Sequence, residues 1–177
     1  MKWRVLIIIL LSCSLFAGGC SLPDFTTGEQ AAEKINTAFI EALNAKDKDG
    51  IKALLCEYTL EEEDIDEQIE EMFEFFDDSV FPINKENILE KRLGAEECSW
   101  NDGVQIMCID ARITITSDTN KCYTILCTAW PIYHDSKRKG VVQIKVIDKT
   151  GLERCNHDEY IKAINNHVNG ISNKFPS

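Results

Sequence analysis

Two hydrophobic periods divide the chain. Between residues 28 and 46, Ala31, Ile35, Ala38, Phe39, Ala42 and Leu43 recur at helical spacing along one face. Thr27 with Gln30, or Thr26 with Glu29, can form a capping box at the start of this helix. The run KDKDG at 46–50 breaks it, and a short second helix over 49–58 buries Ile51, Leu54 and Leu55. A third helix, about 62–77, carries Ile65, Ile69, Met72, Phe73 and Phe76 at spacings of 4, 3, 1 and 3. Its outer face is acidic: residues 57–78 hold twelve Asp and Glu and no Lys or Arg.

The period then changes to two. Over 104–116, Gln105, Met107, Ile109, Ala111, Ile113 and Ile115 alternate with Val104, Ile106, Cys108, Asp110, Arg112 and Thr114, so the first set faces the helices. Residues 121–133 are rich in aromatic and β-branched types and form the next strand; residues 140–148 form another, with Val142, Ile144 and Val146 inward. NDG at 101–103 is a hairpin signal, and the strand before it lies within 88–100. Pro131 belongs at an edge or a bulge, because it has no ladder donor. The tail over 156–171 has a helical stripe of Tyr160, Ile161, Ile164 and Val168, with Asn156 as its cap. Helices first and strands later read as an α+β fold, with amphipathic helices on a curved antiparallel sheet and a helix at the end.

The N-terminus changes the picture. Lys2 and Arg4 precede a 13-residue run without charge, residues 5–17, too short for the roughly 20 residues that span a bilayer. A basic start, an apolar run and the small residues Ala17, Gly18 and Gly19 form an export signal. Cys20 stands directly behind them. In that setting the stretch LFAGGC resembles the bacterial lipoprotein signal, the lipobox, in which the cysteine takes a diacylglyceryl group and becomes the new N-terminus. The resemblance implies a signal at 1–19, lipidation of Cys20, a tether at 20–27 and a body at 28–148, followed by a helical tail at 149–177. It places the protein on the outer side of the cell membrane, anchored by lipid. The plainer alternative is a secreted protein with a chance cysteine.

Removal of residues 1–19 leaves 158 of 177, enough for one domain with a real core. The remaining chain has 17 basic and 30 acidic residues, net −13. That charge repels phosphate backbones and anionic lipid, so it argues against nucleic acid as a partner and makes a covalent anchor the means of membrane attachment. Six cysteines follow the anchor: Cys56, Cys98, Cys108, Cys122, Cys127 and Cys155. An exported chain can join such a set in disulfides, with fifteen connectivities open, or bury them as free thiols.

Three helices before a curved antiparallel meander resemble the cone-shaped fold of nuclear transport factor two and its relatives. The stretches AAEKINTAFIEALNAKDKDGIKALL, DIDEQIEEMFEFFDD, TSDTNKCYTILCTAWPIY and GVVQIKV are similar, across residues 1–148, to a family of small lipoproteins of unknown function from Gram-positive bacteria. That family has no assigned catalytic residues and implies none here. The cone relatives that are enzymes use an Asp–His pair or a Tyr in the pocket between sheet and helices, which implies Tyr123, Tyr133 or Asp110 as acid/base candidates.

The residues themselves supply little chemistry. His134 belongs to a solvated turn, and His157 and His167 lie in the tail. Asp110 and Arg112 share a strand face as an ion pair on the outer side of the sheet, or as a site. Cys122 and Cys127, and Cys155 and His157, lack the close paired spacing of zinc ligands, and the acidic run lacks the glycine and alternating oxygens of a calcium loop. The sequence therefore points to no metal and no cofactor. It supports a surface-tethered, non-catalytic binding module, with an envelope protein or a small apolar molecule as its partner. The alternative is a pocket enzyme of the cone class performing acid/base chemistry.

Overall fold

The structure is a computed structural model that describes residues 27–76, 78–117, 119–150 and 168–172. Helix α1 (Gly28–Ala45) starts where Thr27 caps it, its side chain accepting from the Gln30 N–H at 3.2 Å. It ends at Lys46, whose left-handed conformation returns its N–H to the last carbonyls. The expected second helix is split into α2 (Lys48–Leu54) and α3 (Glu57–Leu60). Leu55 leaves the helical path to bridge to Val141, and the Cys56 N–H donates to the Val141 carbonyl at 2.9 Å. Helix α4 (Ile65–Phe75) buries Ile65, Ile69, Met72 and Phe73, and Phe76 follows them into the core.

Five strands follow in one antiparallel sheet: β1 (Ile88–Asn101), β2 (Val104–Thr116), β3 (Cys122–Ile132), β4 (Gly140–Asp148) and β5 (Val168–Ser172), ordered as in sequence. The β1–β2 hairpin turns on Asp102 (φ 48°) and Gly103 (φ 78°), both positive, with Asn101 opposite Val104. That is the two-residue turn whose twist suits paired strands. Pro131 lies inside a register shift on β3, between Ala129 opposite Ile109 and Ile132 opposite Met107, where the ladder needs no donor from it.

Helices α1 to α4 pack on one face of the sheet. Phe39 and Leu43 of α1, and Ile69 and Met72 of α4, meet Ile109, Ala111, Ile113 and Ile115 of β2 and Ile125 and Cys127 of β3 in one buried cluster. Each fully buried Ile, Leu or Phe contributes about 1.5–3 kcal/mol relative to exposure. Two expectations are corrected. On β4 the inward residue is Val141 in place of Val142, because a bulge opposite Thr128 and Ala129 shifts the alternation by one. In the tail, Val168 sits in strand β5 opposite Ile147, so a helix does not run through 168–171. Residues 156–167 of that expected helix lie outside the described residues, as do the signal and Cys20.

Two glycines carry the turns at different cost. Gly103 has open space around a would-be Cβ, whereas Gly140 (φ 127°) would place one 3.0 Å from the Cys56 nitrogen and 3.2 Å from the Leu54 carbonyl oxygen. Gly103→Ala should cost about 1 kcal/mol for its left-handed backbone. Gly140→Ala should cost more than about 2 kcal/mol, since strain and a backbone clash add. Urea unfolding of both variants checks this, and equal losses would refute the close approach of α2 to β4.

Candidate functional site

The space between helices and sheet, where a cone pocket would open, is occupied by side chains. Phe39, Leu43, Ile69, Met72, Ile109, Ile113 and Ile125 are all fully buried there. Tyr123 points into this layer with 2% of its surface exposed and its ring tilted against Phe76 at 5.2 Å. Asp110 alternates with buried Ile109 and Ala111 and so lies on the opposite face, where its Oδ1 accepts from the Thr128 hydroxyl at 2.7 Å. Tyr133 follows the far end of β3 from Tyr123; Trp130 meets it edge-on and His134 stacks on it at 4.3 Å. The three acid/base candidates therefore occupy three separate places.

Asp110 and Arg112 do share the outer sheet face, but they are not an ion pair among the described residues. Arg112 stands directly across from Arg92, and its Nε is buried without a partner. Among the described residues no three His, Cys, Asp or Glu side chains converge as a metal site. No helix of the described residues is long and apolar enough to cross a membrane.

The acidic run is partly neutralised from outside its own helices. Lys52 pairs with Asp66, and Lys137, from the β3–β4 turn, bonds Glu57 at 2.7 Å. A hydrogen bond to Lys52 holds the Asp66 carboxyl below its ordinary range, and a hydrogen bond to Glu57 raises Lys137. Such exposed pairs contribute little to stability.

The cysteines are dispersed. Cys127 is buried between Ala111 and Ile144, and Cys56 is buried with its sulfur 3.2 Å from the Thr59 hydroxyl. Cys98 is an exposed free thiol on β1, donating to Glu96 Oε1 at 3.4 Å. Cys108 pairs across from Glu97 while Cys98 pairs across from Met107, so these two thiols lie on opposite faces of the sheet. Cys122 opens β3, its carbonyl accepting from the Lys149 N–H at 2.7 Å. Cys155 lies outside the described residues.

A polar position that the sequence reading passed over stands out. Asn36 shares the buried stripe of α1 with Ala32, Phe39 and Leu43, at spacings of four, three and seven, a phase that marks it as interior. It is fully buried; its Nδ2 donates to the Arg112 carbonyl at 3.4 Å, and its Oδ1 has no partner. A buried acceptor left without a donor costs about 1–3 kcal/mol. Asn36 belongs to a groove of about 330 Å³ between α1 and the edge strand β1, together with Glu29, Glu33, Lys91, Arg92 and Leu93. Glu29 and Glu33 line it from the helix and Lys91 from the strand, whereas Arg92, opposite Arg112, turns to the outer sheet face and pairs with Glu90. Lys91 spans it, donating to Glu33 Oε1 at 2.7 Å and Thr37 Oγ1 at 2.9 Å. A second groove of about 470 Å³ lies beside α4, lined by Lys46, Glu70, Phe73, Glu74, Phe76 and Asp78.

Over residues 38–149 the chain matches the model of a family described as a domain of unknown function (DUF5104). No curated protein matches it.

Burial pushes the Cys127 thiol up to about 12 and the Cys108 thiol up to about 11, from an ordinary 9.0. Below pH 9 these thiols are neutral in the folded and unfolded chain alike. As pH rises from 9 toward 12 the unfolded chain loses its protons first, so the fold loses stability across that window. Urea midpoints measured against pH should fall there, and the fall should be shallower in Cys127→Ala. An identical slope in that variant would show that the thiol is not sealed in the core.

Proposed function

The chain belongs to this family of unknown function, and from that premise we propose that it is a surface-tethered lipoprotein whose body is a non-catalytic binding module. The observation that carries the binding reading is the packed layer under the sheet: the place where cone-fold enzymes hold their acid and base is taken up by Phe39, Ile69, Met72 and Ile113. The separation of Tyr123, Tyr133 and Asp110 supports the same reading. Enzymatic acid/base chemistry needs groups within hydrogen-bond reach of one substrate atom.

The lipid anchor rests on the N-terminal sequence. Cys20 follows a basic, apolar, small-residue leader, and the chain's net charge of −11 gives it no electrostatic hold on an anionic membrane. A diacylglyceryl group on Cys20, with two acyl chains, provides stable attachment where a single chain would be marginal. The protein then faces outward from the cell membrane, and its partner is an envelope protein or a small molecule. A cone-like curvature of the sheet fits the register shifts on β1, β3 and β4, since bulges bend strands.

Feeding cells a fatty-acid analogue and comparing the natural chain with Cys20→Ala tests the anchor. Label and membrane retention should both disappear in the variant. A variant that remains labelled, or a native chain beginning at a residue other than Cys20, would overturn the tethered reading.

A further inference from the structure

On the outer sheet face the strand register draws three cations into one row. Arg92 of β1 stands opposite Arg112 of β2, Arg112 opposite Leu126 of β3, and Leu126 opposite Lys145 of β4. Like charges directly opposite on a sheet repel. Arg92 is answered by Glu90 at 2.6 Å, while Arg112 and Lys145 have no ion pair among the described residues. The Arg112 Nε is also buried without an acceptor, which is costly for a charged donor. Asp110, two residues along the same face, is engaged by the Thr128 hydroxyl at 2.7 Å. Three cations against Glu90 and Asp110 leave one positive charge over in this patch, on a chain whose net charge is −11. Gly94 clears the approach. It sits in the β1 register shift, and a Cβ there would lie 3.5 Å from the Asp110 Cβ and 3.7 Å from the Arg112 Cβ. A glycine inside a strand marks a place where another chain can come close.

We propose that this row docks an acidic, extended segment of a partner protein, with one carboxylate seated between Arg92 and Arg112. A planar carboxylate matches the guanidinium fork and supplies the acceptor that the Arg112 Nε lacks. A dianionic phosphate exceeds the single charge left over beside Glu90 and Asp110. The row crosses four strands, about 14 Å at about 4.8 Å per spacing. An extended segment rises about 3.4 Å per residue and turns alternate side chains to one face, so about five residues cover the row, with acid, apolar and acid side chains at the first, third and fifth. The first acid meets the arginines, the apolar side chain lies on Leu126, and the last acid meets Lys145. The acidic charge of the rest of the chain repels such a segment and so directs it to this face.

The site rests on the binding-module reading and names its partner's chemistry. The test is a titration of the detergent-solubilised, ¹⁵N-labelled mature protein with the N-acetylated, C-amidated peptide Glu-Ser-Leu-Ser-Glu, following the Nε–H signals of Arg92 and Arg112. The peptide should shift both saturably. Its Gln-Ser-Leu-Ser-Gln counterpart, and acetate, a carboxylate without the segment, should each bind at least about tenfold more weakly. Arg92→Gln and Arg112→Gln, each with its fold checked by the amide spectrum, should weaken the peptide about tenfold. Lys139→Gln, which removes an exposed cation outside the row, should leave the affinity unchanged. The proposal is overturned by the absence of a saturable shift, by equal affinity for the Gln peptide or for acetate, by an unchanged affinity in either arginine variant that folds, or by an equal loss in Lys139→Gln. The titration reads neither label nor membrane retention, so its failure removes this surface alone, and failure of the Cys20→Ala comparison removes the tether alone.

Discussion

Everything in this fold hangs on the alternation of β2 and β3. Five positions of β2, Met107 through Ile115 by twos, face the helices, and every one of them is buried. On β3, Tyr123, Ile125, Cys127 and Ala129 do the same. A slip of one residue would turn the whole apolar set to the other face and expose it, so the register is fixed by burial across the central strands. The helices are tied to that register. Phe39 and Leu43 of α1 and Ile69 and Met72 of α4 find their places only against the branched side chains that this register presents.

The same constraint decides where irregularity is allowed. All bulges fall toward strand ends or on the edge strand: near Ile88 and Gly94 on β1, around Pro131 on β3, and at Val142 on β4. The middle of β2, from Ile109 to Thr116, pairs with β3 without a shift. Bulges bend the strands they interrupt, and here they leave the central β2–β3 ladder regular. One such shift lies beside Arg112, whose carbonyl receives the Asn36 amide from above the sheet. The irregular edge thus brings a polar side chain into an otherwise apolar layer.

The legible part of the fold is the part governed by period. The bounds of strands β2 and β4 could be read to the residue, the hairpin at Asp102–Gly103 from its composition, and the apolar faces of α1 and α4 from helical spacing. What escaped depended on contacts between distant segments. Leu55 has the spacing of a helix residue, yet its bridge to Val141 outweighs one more helical turn. Val142 follows the two-residue rhythm, but a bulge set by the Thr128–Ala129 pairing breaks that rhythm where sequence gives no sign. Val168 fits a helical stripe, and an open edge on β4 offers it a full ladder instead. The candidate groove was hidden for the same reason. Lys91 is more than fifty residues from Glu29 and Asn36 on α1, and Asn36 is marked only by a polar residue falling in the phase of an apolar stripe.

With the interior filled in this way, no charged side chain is buried among the described residues, and the charged groups stand at the rim and on the outer sheet face. The core is closed by Phe, Ile and Met side chains, and the outer sheet face carries Asp110, Thr128 and two opposed arginines, Arg92 and Arg112. Where α1 meets the edge strand β1, a groove of about 330 Å³ stays open beside Glu29, Glu33, Asn36 and Lys91. At such a seam, charges of both signs stay partly solvated and movable, while an apolar core pins the backbone that carries them. The proposed binding reading draws on this contrast between a register-locked centre and an edge where Lys91 joins Glu33 and Thr37 across strand and helix.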